Sequence, residues 1–456
     1  MQSSYDINRL IYVNKELIIM EMDIIKKPIA IFGLGYVGLP LSLCYCMKGY
    51  SVYGVDISEK LIDELKSGET SLFEKYKGHT IKEILGECLN SQCFMPTNNP
   101  VDALLQSNKH IITVGIPVNN GNLDYMPLKN VCRTISKGLK NGDTVIVRST
   151  VTPGTTEDII IPILEESSLK AGKDFYLAYC PERISEGNAF EGFENLRVII
   201  SGVNEESIEI GSEIIKMISN VDPFLVSSIK TAEASKLFEN IQRDVNIAMI
   251  QEIGGFCRNI GIDVFELIEA VNTHPRVNLL KPAPGVGGYC IPNALYYLKS
   301  KALEMGTNID LICLSRDINM KTPINISNRI KQKLISKGKE YSQLKVAILG
   351  VAMKDYCNDI RNSPVIEIIK DLINSGISVA AYDPYVSENF LSKADDLEKC
   401  INDSDCLLIA AKQYNINYNN FDLFKSLMND EPLIFDTRNI VDCVKAFEYG
   451  FKVEGI

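Results

Sequence analysis

Short apolar runs alternate with longer amphipathic stretches along most of this chain, and their order sets its organisation. Ile29–Phe32 reads as an apolar strand. A glycine-rich turn, an apolar stretch of helical length and a second strand, Ser51–Val55, follow it and end at Asp56. That succession is a βαβ unit. Strand-like runs recur at Ile111–Ile116, Thr144–Arg148, Tyr176–Ala178 and Val198–Ser201, with helical stretches between them. Such alternation predicts a parallel, doubly wound sheet. Residues 231–272 carry no strand signal; Thr231–Asn259 and Asp263–Val271 read as helices split by Gly261. The Gly/Pro-rich run HPRVNLLKPAPGVGGYCIP (274–292) comes next, and a loop that long is more often functional than filler. Helical pattern resumes from Ala294 to about Lys339.

After Lys339 the alternation restarts. KVAILGVAMK (345–354) echoes IAIFGLGYVG (29–38), and SVAAYDPYV (378–386) echoes SVYGVDISE (51–59). Strands at Cys406–Ala410 and Leu433–Phe435 complete the second half. The expected fold is α/β: two Rossmann-like, doubly wound parallel-sheet domains joined by a central helical segment. Its divisions are an N-terminal extension (1–27), a first Rossmann domain (28–205), a helical segment with the irregular loop (206–325) and a second Rossmann-like domain (326–456).

Composition narrows the function. A length of 456 residues allows two or three cores. The formal net charge of −11 argues against nucleic acid, which selects basic faces. No run reaches the roughly 18 apolar residues of a membrane span. The chain has 13 cysteines, and no spacing reads as a zinc site, so reduced thiols in a cytoplasmic protein without a metal are expected. In the extension the apolar patch LIIM (17–20) is broken by flanking charges, unlike a secretory signal. Met22 reads as the start of the main chain.

Gly33-x-Gly35-x-x-Gly38, with Tyr36 and Val37 inside it, stands between the first strand and helix. Gly33 allows a tight turn, Gly35 lets backbone N–H groups approach a pyrophosphate, and Gly38 lets helix and strand pack closely. Asp56, 18 positions after Gly38, suits the ribose hydroxyls of NAD and repels the 2′-phosphate of NADP. Lys236, Asn240 and Arg243 share one face of a predicted helix; a solvated polar stripe has the same spacing. Cys290, after the glycines of PGVGGYCIP, reads either as a nucleophile on a mobile, approachable backbone or as a small buried thiol in a tight turn. Lys354 and Arg361 flank a predicted helix start at the strand end of the second domain, as an anion site or as two surface cations. The lone His274 reads as packing or a cap.

Together these residues resemble the nucleotide-sugar dehydrogenase family, the UDP-glucose/GDP-mannose dehydrogenases. The resemblance runs from about Lys27 to the C-terminus. It rests on GLGYVG (33–38), VRSTVTPGTT (147–156), CPERISEGN (180–188), EASKLFENIQRDVN (233–246), PGVGGYCIP (284–292), KDYCNDIRNSP (354–364) and FDTRN (435–439). KLFENIQRDVNIA and NTHPRVNLLKPAPGVGG look most like the UDP-N-acetylmannosamine branch, with UDP-N-acetylglucosamine and UDP-N-acetylgalactosamine as alternatives. The resemblance implies NAD as cofactor, a UDP-sugar held by the C-terminal half, and a homodimer built on the central helices. It implies Cys290 as nucleophile, Lys236 and Asn240 lining the site, Glu182 as the active-site glutamate and Thr150 near the catalytic water. Lys354 and Arg361 fall at the boundary with the cofactor, and Arg243, Arg276, Gly287 and Arg438 at the substrate.

One departure stands out. The family pattern carries an aspartate four residues after the cysteine, where this chain has Ala294, preceded by Asn293; Tyr289 replaces the usual His or Ser. The resemblance implies NAD-dependent oxidation of the sugar C6 alcohol to a uronic acid through a cysteine thiohemiacetal and thioester, and the departure leaves two rivals to it: an altered enzyme with impaired hydrolysis or a different oxidation, and a nucleotide-binding protein without turnover.

Overall fold

A computed structural model describes residues 27–336 and 338–456. The LIIM patch, Met22 and the rest of the extension up to residue 26 lie outside these residues.

The first βαβ unit forms where the sequence places it: β1 (Ile29–Phe32), α1 (Gly38–Met47) and β2 (Val52–Val55). Every residue of β1 is buried, as expected of a strand covered on both faces. Phe94–Thr97 (β3), Lys109–Ile112 (β4), Thr144–Val147 (β5), Tyr176–Tyr179 (β6), Ile199–Gly202 (β7) and Phe224–Leu225 (β8) complete an eight-stranded sheet. Its order is β3-β2-β1-β4-β5-β6-β7-β8. All neighbours run parallel except β6 and β7, which are antiparallel. The run expected to be strand through Ile116 leaves the sheet after Ile112. There the Thr113 hydroxyl donates to the Phe32 and Gly33 carbonyls and turns the chain across the glycine loop.

The long helix α2 (Ile229–Ile260) has 32 residues, so it spans about 48 Å. The chain divides into two compact units after Leu237, within this helix. A shorter helix, Val264–Val271, is capped by the Asp263 side chain. The helical run expected from Ala294 to Lys339 is two helices, α3 (Cys290–Met305) and α4 (Asp310–Ile335). Gly306, in the left-handed region, ends α3 and breaks the run.

The second sheet comprises β9 (Lys345–Leu349), β10 (Ser378–Tyr382), β11 (Cys406–Ile409), β12 (Leu433–Asp436) and β13 (Lys452–Gly455), in the order β10-β9-β11-β12-β13. All its strands are parallel. Helix α5 (Pro364–Asn374) follows β9 after a long loop, opening on Ser363 as cap and Pro364 in its first turn. The second sheet is the all-parallel kind read from the sequence, and the first is parallel except for its β6–β7 pair. Among the described residues no helix is long and apolar enough to cross a membrane.

Candidate active site

In the N-terminal unit the three turn glycines have three separate reasons. Gly33 sits at φ +97°, where an L side chain is strained. A Cβ on Gly38 would lie 1.7 Å from the Gly33 carbonyl oxygen, so no side chain fits between helix and turn. A Cβ on Gly35 would meet nothing within 4 Å, which leaves a bare backbone face for a ligand. No side chain caps α1 and no acid stands in its first turn. That suits a pyrophosphate at the helix N-terminus. Asp56 locks the turn: Leu34 N–H donates to one carboxylate oxygen at 2.8 Å and Ser58 N–H to the other at 3.0 Å. Each oxygen keeps a lone pair for a ribose hydroxyl. Tyr36, inside the turn, is exposed. Ile57, beside Asp56, is 91% exposed. Reading for polar chemistry passed over it, yet an apolar side chain at the ribose end of such a turn suits an adenine face.

Glu182 is a held anion. Its Oε1 accepts N–H groups from Arg183 at 2.7 Å and Ile184 at 2.9 Å, while Oε2 pairs with the buried Arg148. Arg148 comes from VRST at the end of β5 and lies over the Phe193 ring. Thr150 is half-buried two residues further on. The TPGTT turn after it is fixed by Glu233 of α2, an acid the sequence reading did not single out. Glu233 is fully buried and accepts Gly154 N–H at 2.6 Å and Thr156 N–H at 2.8 Å. Burial raises its carboxyl above the usual range despite these bonds. Lys236 stands one turn along the helix from Glu233 and is buried.

In the C-terminal unit Asn240 is buried, and its Oδ1 accepts from Arg243 at 2.5 Å. An arginine only donates, so the atom it bonds is the amide oxygen and the Asn240 NH2 is left to donate elsewhere. Cys290 is exposed and is the first residue of α3. A negative charge forming on its Sγ faces the N-terminal end of that helix. The glycines before it do not loosen the backbone, as expected from the sequence; they let it pack. A Cβ on Gly287 would come within 2.8 Å of Met353 Cβ, and one on Gly288 within 2.4 Å of Met353 Sδ. Gly288 N–H donates to the Arg361 carbonyl at 2.9 Å, and Asn362 donates back to the Gly288 carbonyl at 3.2 Å. The run expected to flank a helix start is therefore a loop whose Arg361 carbonyl, Asn362 side-chain amide and Met353 clamp the cysteine loop. The Arg361 guanidinium forks onto Asp359 at 2.6–3.0 Å. Arg438 pairs with Asp355, next to Lys354, at 2.6 Å. Arg276 is exposed on the irregular loop, and its N–H is accepted by His274 Nδ1 at 3.3 Å, so His274 caps a turn. Ala294 lies one turn after Cys290 in α3 and is 2% exposed.

A glycine turn with a bare backbone face and a ribose-suited acid after it are the marks of a dinucleotide-binding Rossmann domain. The family model of the UDP-glucose/GDP-mannose dehydrogenase family matches in three parts: its NAD-binding domain over residues 27–219, its central domain over 230–321 and its UDP-binding domain over 347–443. The chain is 35% identical to the UDP-N-acetyl-D-mannosamine dehydrogenase of Methanocaldococcus jannaschii, over 95% of this chain and 97% of that one. It is 35% identical to the UDP-N-acetyl-D-glucosamine 6-dehydrogenase of Salmonella typhi, over 78% and 82%. The solved structure of the UDP-D-ManNAc dehydrogenase of Pyrococcus horikoshii superposes with a TM-score of 0.86 at 34% identity, over 94% of this chain and 99% of that one. The chain belongs to the UDP-glucose/GDP-mannose dehydrogenase family. Its activity is accordingly that of an NAD-dependent nucleotide-sugar dehydrogenase acting on a UDP-sugar.

Proposed function

We propose that this enzyme oxidises the C6 alcohol of a UDP-N-acetylhexosamine, UDP-N-acetylmannosamine first among them, to the uronic acid through a thioester on Cys290. The observation that carries the reading is Cys290 itself: exposed, at the opening of α3, on a loop clamped by Met353 and Asn362. NAD fits the Gly33–Gly38 turn and Asp56, and when bound it supplies hydride acceptance, once for each of two oxidations. Between them Cys290 thiolate adds to the C6 aldehyde, because an aldehyde is a poor hydride donor until a nucleophile adds to it. Loss of hydride from the resulting thiohemiacetal leaves the thioester; water then releases the carboxylate and returns the thiol.

Lys236 and the Asn240 NH2 stabilise the developing oxyanion, a contribution of about 3–4 kcal/mol at such sites. Glu182, with both oxygens already accepting, positions water beside Thr150. Lys354 and Arg361 serve the cofactor, and Arg243, Arg276, Gly287 and Arg438 serve the UDP-sugar. The central helices pair two copies of the chain: Phe238, Met249 and Phe256 on α2 and Leu311, Leu314 and Met320 on α4 are large apolar side chains left exposed. All 13 cysteines are free, which fits a cytoplasmic location.

A second reading concerns the last step. The buried methyl of Ala294 stands where the family motif has a carboxylate, and Asn293 cannot take a proton at neutral pH. Thioester hydrolysis is then slow, and Ala294→Asp speeds it. NADH absorbance against a panel of UDP-sugars, with product mass, tests both readings. Two NADH per sugar, with uronic acid formed, is expected. One NADH per sugar with aldehyde product overturns the four-electron reaction, and none overturns turnover altogether. An initial burst that disappears in Ala294→Asp marks slow hydrolysis; no burst in either protein removes that second reading.

A further inference from the structure

Sequence spacing hides one cluster that the folded N-terminal unit assembles. The sulfurs of Cys46, Cys88 and Cys93 all lie within 4.8 Å of one another. Cys46 and Cys88 are buried, and Cys93 is half-buried and gives a way in from solvent. Cys46 Sγ contacts the Cys93 carbonyl at 3.3 Å, Cys93 Sγ contacts the Cys88 carbonyl at 3.4 Å, and the Ser91 hydroxyl lies 3.2 Å from Cys93 Sγ. We propose that these three cysteines bind a divalent thiophilic metal ion such as Zn2+.

Two independent features support a cation here. The first is donor geometry. Three thiolates around a tetrahedral zinc with Zn–S bonds of about 2.3 Å lie about 3.8 Å apart, so the cluster needs only small side-chain rotations. Water or the Ser91 hydroxyl completes the tetrahedron. The second is the backbone. Cys46 lies in the last turn of α1 and Cys88 in the last turn of the helix Ile81–Asn90. Two helix C-termini, each with partial negative charge, therefore converge on the sulfurs. Neither helix has a basic residue in its last turn. Lys48, just past α1, is turned away to Glu194 at 2.9 Å. A divalent ion also leaves less uncompensated charge on three thiolates, two of them buried, than a monovalent one.

Cys46 is eight residues along α1 from Gly38, about 12 Å from the nucleotide turn. The ion is therefore structural and takes no part in the hydride chemistry. The test uses the reduced, metal-free, full-length protein under anaerobic conditions, titrated with Cd2+ and, separately, Zn2+. Expected is an ultraviolet sulfur-to-cadmium charge-transfer band that saturates at one Cd2+ per chain, persists in Cys290→Ala and is lost in Cys93→Ala. Zn2+ should raise the Tm by about 2 °C or more in the wild type and not in Cys93→Ala. Zn2+ should also protect Cys88 and Cys93 of the wild type from alkylation, as read by peptide mass, which requires no variant. No charge-transfer band in the wild type, a band that survives in Cys93→Ala, or equal alkylation with and without Zn2+ would overturn the site.

Discussion

The two Rossmann halves share a plan and use its turn in opposite ways. In the first, Asp56 at the end of β2 accepts one N–H per oxygen and stays half-buried, and Gly35 leaves open space in front of the backbone. In the second, Asp383 at the end of β10 is 4% exposed. It accepts Val351 N–H at 2.8 Å, Ala352 N–H at 3.1 Å, the Gln413 amide at 3.0 Å and Tyr385 N–H at 3.1 Å. A Cβ on Gly350 would lie 2.1 Å from the Ala411 carbonyl, so the turn is shut against its neighbour strand. The first turn is open in front of its backbone. The second is closed, and the residue after it, Met353, supports the loop that carries Cys290. Echoing sequences thus give one open turn and one closed turn that serves as a buttress.

Substitutions can break each side of this comparison. The largest effect is expected at the residue that the second half holds in place: Cys290→Ser should cut uronic acid formation by about 10³-fold or more while leaving nucleotide binding intact, measured by steady-state turnover and calorimetry. Next comes the buttress itself. Gly287→Ala places a methyl against Met353 and Asn362, and a loop displaced by about 1 Å should cost about 10²-fold in kcat with unchanged NAD affinity. Asp383→Ala leaves several buried N–H donors unpaired, so urea denaturation should show a loss of about 3 kcal/mol or more. An Asp383→Ala protein of wild-type stability would mean that this turn is not closed in the way described. Smallest is Arg243→Ala. It frees the Asn240 amide to rotate and should lower kcat by about tenfold, about 1.4 kcal/mol; a change confined to KM would assign Arg243 to substrate binding instead.

What the sequence disclosed follows the range of the interactions. The β1–turn–α1–β2 unit was legible because an apolar run, three glycines and an acid lie within one short stretch. The start of β4 was not. Lys109 and His110 read as polar but are buried, with the lysine ammonium on the Lys27 carbonyl at 3.3 Å and the imidazole on Asp143 at 3.2 Å. Those partners are distant in sequence, and nothing in a hydropathy pattern records them. The glycines before Cys290 were visible, but their reason was misread as mobility, because Met353 and Asn362 lie more than sixty residues away. Glu233 and the Cys46–Cys88–Cys93 cluster were missed for the same cause. The candidate residues came from motif order, and how each is held came only from the fold.

The central claim is that the first turn alone takes the dinucleotide. Calorimetric titration of NAD into the wild type, Asp56→Ala and Asp383→Asn tests it directly. Expected are one NAD per chain, affinity about 10–100-fold weaker in Asp56→Ala with relaxed discrimination against NADP, and unchanged affinity in Asp383→Asn. Two NAD per chain, or wild-type affinity in Asp56→Ala, would contradict it.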